Sequence, residues 1–218
     1  SSGRAVLWTR SGGMKDLGVP ADATSSAAVG IGIYNGQVVV AVNTDAATFK
    51  AKRWNGDTLG LGTFSSLPRM NGTLEWRITG LGTNGSTDLW IAGSSLTGGD
   101  GDGRQAGRYR QGTNTTDLYG LPFDGHDHSD FHAVSDTGFF GGQYQYRGIA
   151  PGGGARNAMK SIGTTSCMPL NTLLGLPNTK YEAVVKALSR NGLVQGGWSY
   201  YVNGGAYHQP VIWNNLDN

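Results

Sequence analysis

One cysteine, Cys167, stands in a chain of 218 residues, which leaves no disulfide framework within the chain and no thiolate-built zinc cluster. It reads as a small, partly buried residue, the alternative being an intermolecular disulfide. Glutamate is almost missing: Glu75 and Glu182 are the only two. Lysine numbers six, so the residues that favour helices are scarce, and the acids are nearly all Asp, which prefers turns. No apolar run approaches the roughly 20 residues of a membrane helix, so membrane insertion is not expected. The net charge of +2 has both signs scattered, and without a basic stripe nucleic acid is not an expected partner. G-x-S-x-G, H-E-x-x-H and the P-loop are all missing. The opening Ser1-Ser2-Gly3 has no charged-then-apolar leader and reads as a mature product or a fragment.

Glycine is what the chain has in excess: 37 residues, against roughly 7% of an ordinary protein. They follow no G-X-Y period and cluster at turns and strand ends. The sequence also repeats itself about four times. LGVP (17–20), LGLGTFSSLP (59–68), LYGLP (118–122) and LLGLP (173–177) each precede a β-rich stretch. A turn ending in Gly follows: IYNG (33–36), GTNG (82–85), SDTG (135–138) and SRNG (189–192). A short apolar strand follows each turn. A strand–turn–strand period of about 45–57 residues is the signature of a β-propeller or related array. The expected fold is therefore all-β, about four four-stranded antiparallel blades in one domain, 1–218, with repeats near 4–47, 48–103, 104–154 and 155–218.

Aligning on the turn glycines gives SAAVGIGIYNG (26–36), EWRITGLGTNG (75–85), HSDFHAVSDTG (128–138) and EAVVKALSRNG (182–192). Each predicts a short first strand and a tight hairpin, Gly supplying the positive φ of the turn. YEAVVKALSR (181–190) alone reads as helix, but its siblings make it a strand. The alignment puts Glu75 and Glu182 level with Ser26 and His128. The predicted third strands are RAVLW (4–8), FKAKRW (49–54), RQAGRY (104–109), ARNAM (155–159) and QPVIW (209–213). Trp8, Trp54, Tyr109, Met159 and Trp213 then share one position, expected to hold packing anchors between blades, a sugar-stacking platform being the alternative.

The order A-x-x-W, D-L-G, a hairpin with S-x-x-G and V-x-G, then A-x-x-W again is similar to the HAF-type extracellular repeat of bacterial secreted proteins. RAVLWTRSGGMKDLGVP (4–20) carries it most fully, and the pattern covers nearly the whole chain. FFGGQY (139–144) and LVQGGW (193–198) resemble kelch repeats as well. The HAF-type resemblance implies a secreted or cell-surface location and a propeller-like array of sheets, with no defined activity.

The one dense polar cluster is FDGHDHSDFH (123–132). His and Asp at alternate positions on extended chain project to one side, a spacing suited to a divalent ion. Asp124, His126, Asp127 and His128 are the candidate ligands, with Asp100 and Asp102 from TGGDGDGR (97–104), part of a calcium-type loop. Calcium fits if the aspartates dominate, zinc if the histidines converge, and solvated polar loops are the alternative to both. Glu75 and Glu182 would face a central channel, the only place for a two-carboxylate hydrolase.

Three function classes follow: a non-catalytic extracellular module for assembly or surface binding, a carbohydrate-binding propeller lectin, and a polysaccharide hydrolase. A multivalent lectin would repeat its loops, yet NTDAAT (43–48), TGGDGDG (97–103), RGIAPGGG (147–154) and VNGGAYH (202–208) differ. The structural module is therefore the reading adopted, with extracellular glycans as possible ligands. The sequence has four first-strand hairpins but five third strands. Either RAVLW or QPVIW is left over, so a longer parent or other copies of the chain are the expected partners of the terminal strands.

Overall fold

The computed structural model describes residues 3–72, 74–96, 104–119, 126–146, 156–162, 166–170, 181–201 and 207–214; for 126, 127, 146, 156, 181, 182, 200, 201 and 207–209 it describes the backbone alone. The described residues form strands and turns and no helix. β1 (Ala5–Thr9) and β2 (Gly13–Gly18) pair as a two-stranded sheet. β3 (Ser26–Tyr34), β4 (Gln37–Thr44), β5 (Ala51–Gly56) and β6 (Gly62–Ser66) form the first four-stranded sheet. β7 (Trp76–Thr83), β8 (Leu89–Ser95), β9 (Ala106–Arg110) and β10 (Thr115–Leu118) form the second, and β11 (His126–Val134), β12 (Phe140–Tyr146), β13 (Arg156–Ile162) and β14 (Ser166–Pro169) the third. β15 (Tyr181–Leu188), β16 (Val194–Tyr201) and β17 (Tyr207–Asn214) make a final three-stranded sheet. Every pairing within a sheet is antiparallel between sequence neighbours. Residues 181–188 are strand, as the repeat requires.

Each first strand carries a β-bulge, between Ala28 and Gly30, Ile78 and Gly80, Phe131 and Ala133, and Val185 and Ala187. A bulge exchanges the two faces of the strand beyond it. These first strands are 8 or 9 residues long, not short as expected, because they extend on both sides of the bulge. Only the first hairpin is tight: Tyr34 pairs with Gln37 across Asn35 (φ 49°) and Gly36 (φ 75°). The other turns are longer loops. Ser135 Oγ accepts from Phe139 N and Asn84 Oδ1 accepts from Thr87 N and Asp88 N, replacing the bonds a tight turn would make.

The bulges also fix which residues are equivalent. Ala28, Ile78, Phe131 and Val185 face Val42, Gly93, Gly142 and Gly197, and those face Lys52, Gly107, Met159 and Val211 on the third strands. Two residues further on stand Trp54, Tyr109, Ser161 and Trp213. Met159 therefore packs between the sheets as expected, fully buried, but two residues before the position of Trp54, where Ser161 stands. The Ser161 Oγ accepts from Phe140 N at 2.9 Å, and the buried Phe140 ring fills the space from the neighbouring strand. By the same register Ser25, not Ser26, is level with Glu75 and His128.

The sheets pack face on face in chain order. Trp54 with Val38, Val40 and Val42 meets Ala5, Leu7 and Leu17 of the β1–β2 pair. Trp76, Ile78, Ile91 and Tyr109 meet Ala41 and Ala51. Phe131, Phe140 and Met159 meet Trp90, Ala92 and Ala106, while Ala183, Val185 and Trp213 meet Ala158. Glycines let the backbones approach: a Cβ on Gly32 would lie 2.5 Å from Thr83 Cγ2, and one on Gly82 2.4 Å from Ser135 O. Of the two terminal third strands, QPVIW stays in its own sheet as β17. RAVLW with its following strand is the surplus, as the isolated β1–β2 pair.

Candidate functional site

The four first strands begin along one rim of the stack, beside the loops that join second to third strands. On this rim lie Asp45, Glu75, His128 and Asp130. The loop after β4 turns at Asp45, whose Oδ1 accepts from Thr24 N at 2.8 Å and Ser25 N at 2.9 Å, while Oδ2 accepts from Thr24 Oγ1. The Thr24 hydroxyl, with the two backbone N–H groups, holds the Asp45 carboxyl well below the usual carboxylate range. The loop returns to β5 through Phe49, a non-glycine residue at φ 53°.

Glu75, just ahead of β7, clamps that return. Its Oε1 accepts from Phe49 N at 3.0 Å and Arg69 Nε at 2.7 Å, and Oε2 from Lys50 N at 3.0 Å. The Arg69 guanidinium also covers the Phe49 ring, 4.8 Å from its centroid. Burial would raise the Glu75 pKa, but the Lys50 and Phe49 N–H groups and Arg69 outweigh it and leave the carboxyl lowered. A general acid needs the reverse, a carboxyl raised toward neutrality. The strained Phe49 is held by this clamp.

His128 occupies the level position on β11. Its Nε2 lies 2.6 Å from Asp130 Oδ2, two residues along and on the same face of the strand. Burial would raise Asp130, yet hydrogen bonds from His128 and Ser94 and the nearby His132 bring it down to about 2. Alternation placed His128 and Asp130 together, as expected from the sequence. Asp130 itself was not among the predicted ligands, although the same spacing marks it. Asp100, Asp102 and Asp124 lie outside the described residues, and His126 and Asp127 are described as backbone only, within β11. Among the described residues no three His, Cys, Asp or Glu side chains come together as a metal site.

Between the first two four-stranded sheets the rim opens into a cavity of about 340 Å³, reached by Ser25, Asn43, Asp45, Lys50, Trp76 and Arg77. Asn43 spans the sheets beneath it: Nδ2 donates to Ile78 O and Oδ1 accepts from Ile78 N, each at 2.8 Å. Cys167 is buried away from this rim in the third sheet, and burial pushes its thiol up to about 12. The rim thus presents ionised carboxylates already engaged by N–H and O–H donors. No protein-family model matches the chain, and no curated protein is significantly similar to it in sequence.

Proposed function

We propose that the chain is a non-catalytic β-propeller-type module, secreted or at the cell surface, that serves as a scaffold for assembly or surface binding. The observation that carries this reading is the succession of meander sheets, each packed on the next, with large apolar side chains exposed at both ends among the described residues, Trp8 and Met14 at one and Ile212 and Val194 at the other. In this reading the sheets are propeller blades, and the array is completed by another chain or a longer parent. The HAF-type repeat pattern supports the extracellular setting. The commitment of Glu75 to Phe49, Lys50 and Arg69 supports a structural role for the one channel glutamate whose side chain is described. Calcium or zinc at Asp100, Asp102, Asp124, His126, Asp127 and His128 remains part of this proposal, as a brace for the loops.

The test is a polysaccharide-hydrolysis panel run beside a glycan array on the 218-residue chain. The module yields no turnover and no glycan signal. Turnover lost in Glu75→Gln would replace this reading with a hydrolase, and glycan binding at the rim would replace it with a lectin.

A further inference from the structure

The two ends of the stack expose opposite halves of one interface. Face positions repeat along the third strands, so interior sheets show how each end residue behaves once covered. Trp54, Tyr109 and Trp213 all point back toward the preceding sheet and are buried, Trp54 to 1% exposure; Trp8, at the same position on β1, is 69% exposed. Met14, its partner across the β1–β2 ladder, is exposed too, as is Val6. On β3, Ile31 is level with Leu81, whose Cβ seats against Gly30, but Ile31 has no such seat and is 58% exposed.

The far end shows the other half. Arg53, Arg108 and Lys160 occupy the position that points forward to the next sheet, and Arg108 and Lys160 are buried there. Ile212, level with them on β17, is 69% exposed. Val194 on β16 is exposed beside it, and a Cβ on Gly196 would meet nothing. The hairpin tips are laced from sheet to sheet, Asn35 N to Gly85 O and Asp136 N to Arg190 O, and the Arg190 side chain at the last tip is exposed.

We propose that the hairpin-tip half of the forward face of β15–β17, around Ile212 and Val194, docks in one copy against the backward face of β1–β2 and β3 in a second copy. Nearer the rim, Val184 on the same forward face is already buried. The docking rests on the scaffold reading above and names its partner. The occupant follows from continuity: the interface that joins the sheets within the chain is the one left half-made at each end, so a second copy supplies the matching half. Contact is by face: among the described residues β17 is an edge strand, and its Pro210, with no N–H to donate, disfavours edge pairing there. The docking is head-to-tail, closing as a ring where the rotation permits and otherwise growing as a filament.

Sedimentation equilibrium across a wide concentration range tests it. The wild-type mass rises above that of the monomer with concentration. Trp8→Lys and Ile212→Lys each stop association while leaving the far-UV spectrum unchanged, since both residues are exposed. Each variant keeps one intact face, so their mixture forms a heterodimer and nothing larger. A wild-type chain that stays monomeric at the highest concentration overturns the proposal, as does association that both substitutions leave intact, which would mean edge pairing. Glycan binding or hydrolysis, which would end the scaffold reading, leaves these masses unaffected.

Discussion

Trp54 and Trp8 make a matched pair at the residue scale, with the same side chain and strand position but opposite surroundings. Trp54 lies across Gly56 and Gly62, where an added Cβ would meet its ring at 2.4 and 2.5 Å, and against three valines of β4. Trp54→Ala should cost about 3–5 kcal/mol, the usual range for a buried large aromatic. Trp8→Ala in the monomer should stay within about 0.5 kcal/mol, as surface changes do. Urea titration of both variants at low protein concentration measures the contrast. Asp130 gives a second residue-level prediction. Its folded-state pKa of about 2 lies below the ordinary 3.8, so the ionised carboxyl stabilises the fold above 3.8. As pH falls from there toward 2, the unfolded chain takes up a proton that the folded chain refuses, and that stability is lost. The melting temperature should drop over this window, and Asp130→Asn should flatten the drop.

At the scale of the element, the bulged first strand makes the stack possible. Before the bulge, Trp76 and Ile78 face backward; after it, Leu81 and Thr83 do, leaving Gly80 and Gly82 to receive the third sheet. The backbone of one first strand can approach the next only where these glycines remove the side chain. Gly32→Val would drive its methyls into Leu81 and Thr83, and overpacking of this kind costs about 1–3 kcal/mol. The same change at Gly196, where an added Cβ meets nothing, should be close to neutral in the monomer. Chemical denaturation of the two variants separates close packing from any general intolerance of glycine replacement in strands.

For the whole molecule, stability should be graded along the stack. β8 is buried at all seven residues, paired on both edges and covered on both faces. The β1–β2 pair has two strands and one covered face. Local opening follows such differences in burial and pairing. Hydrogen exchange should therefore be slowest across 89–95 and fastest across 5–18. Uniform protection of both segments would show that the monomer opens as a single unit.

The sequence by itself determined the class of fold and the number of first hairpins. Gly at each turn and the scarcity of helix formers leave few alternatives to repeated antiparallel sheets, and the repeat turned YEAVVKALSR from helix to strand. Side-chain alternation was legible too, which is why His128 and Asp130 were expected on one face. What the sequence did not carry was register. Aligning on turn glycines assumes loops of equal length, but Tyr34–Gln37 closes over two residues where Thr83–Leu89 takes five. That difference moved Ser25 into the place assigned to Ser26. A serine also gave no sign that Ser161 stands where Trp54 does, because the ring filling that space comes from Phe140 on the neighbouring strand. Only tertiary packing shows which residue supplies the volume, since a core demands filled space and is indifferent to which strand fills it. The same holds for Glu75. Its repeat position offered it to a channel, and the Phe49 turn, reached through contacts 25 and 26 residues back along the chain, claimed it as a clamp.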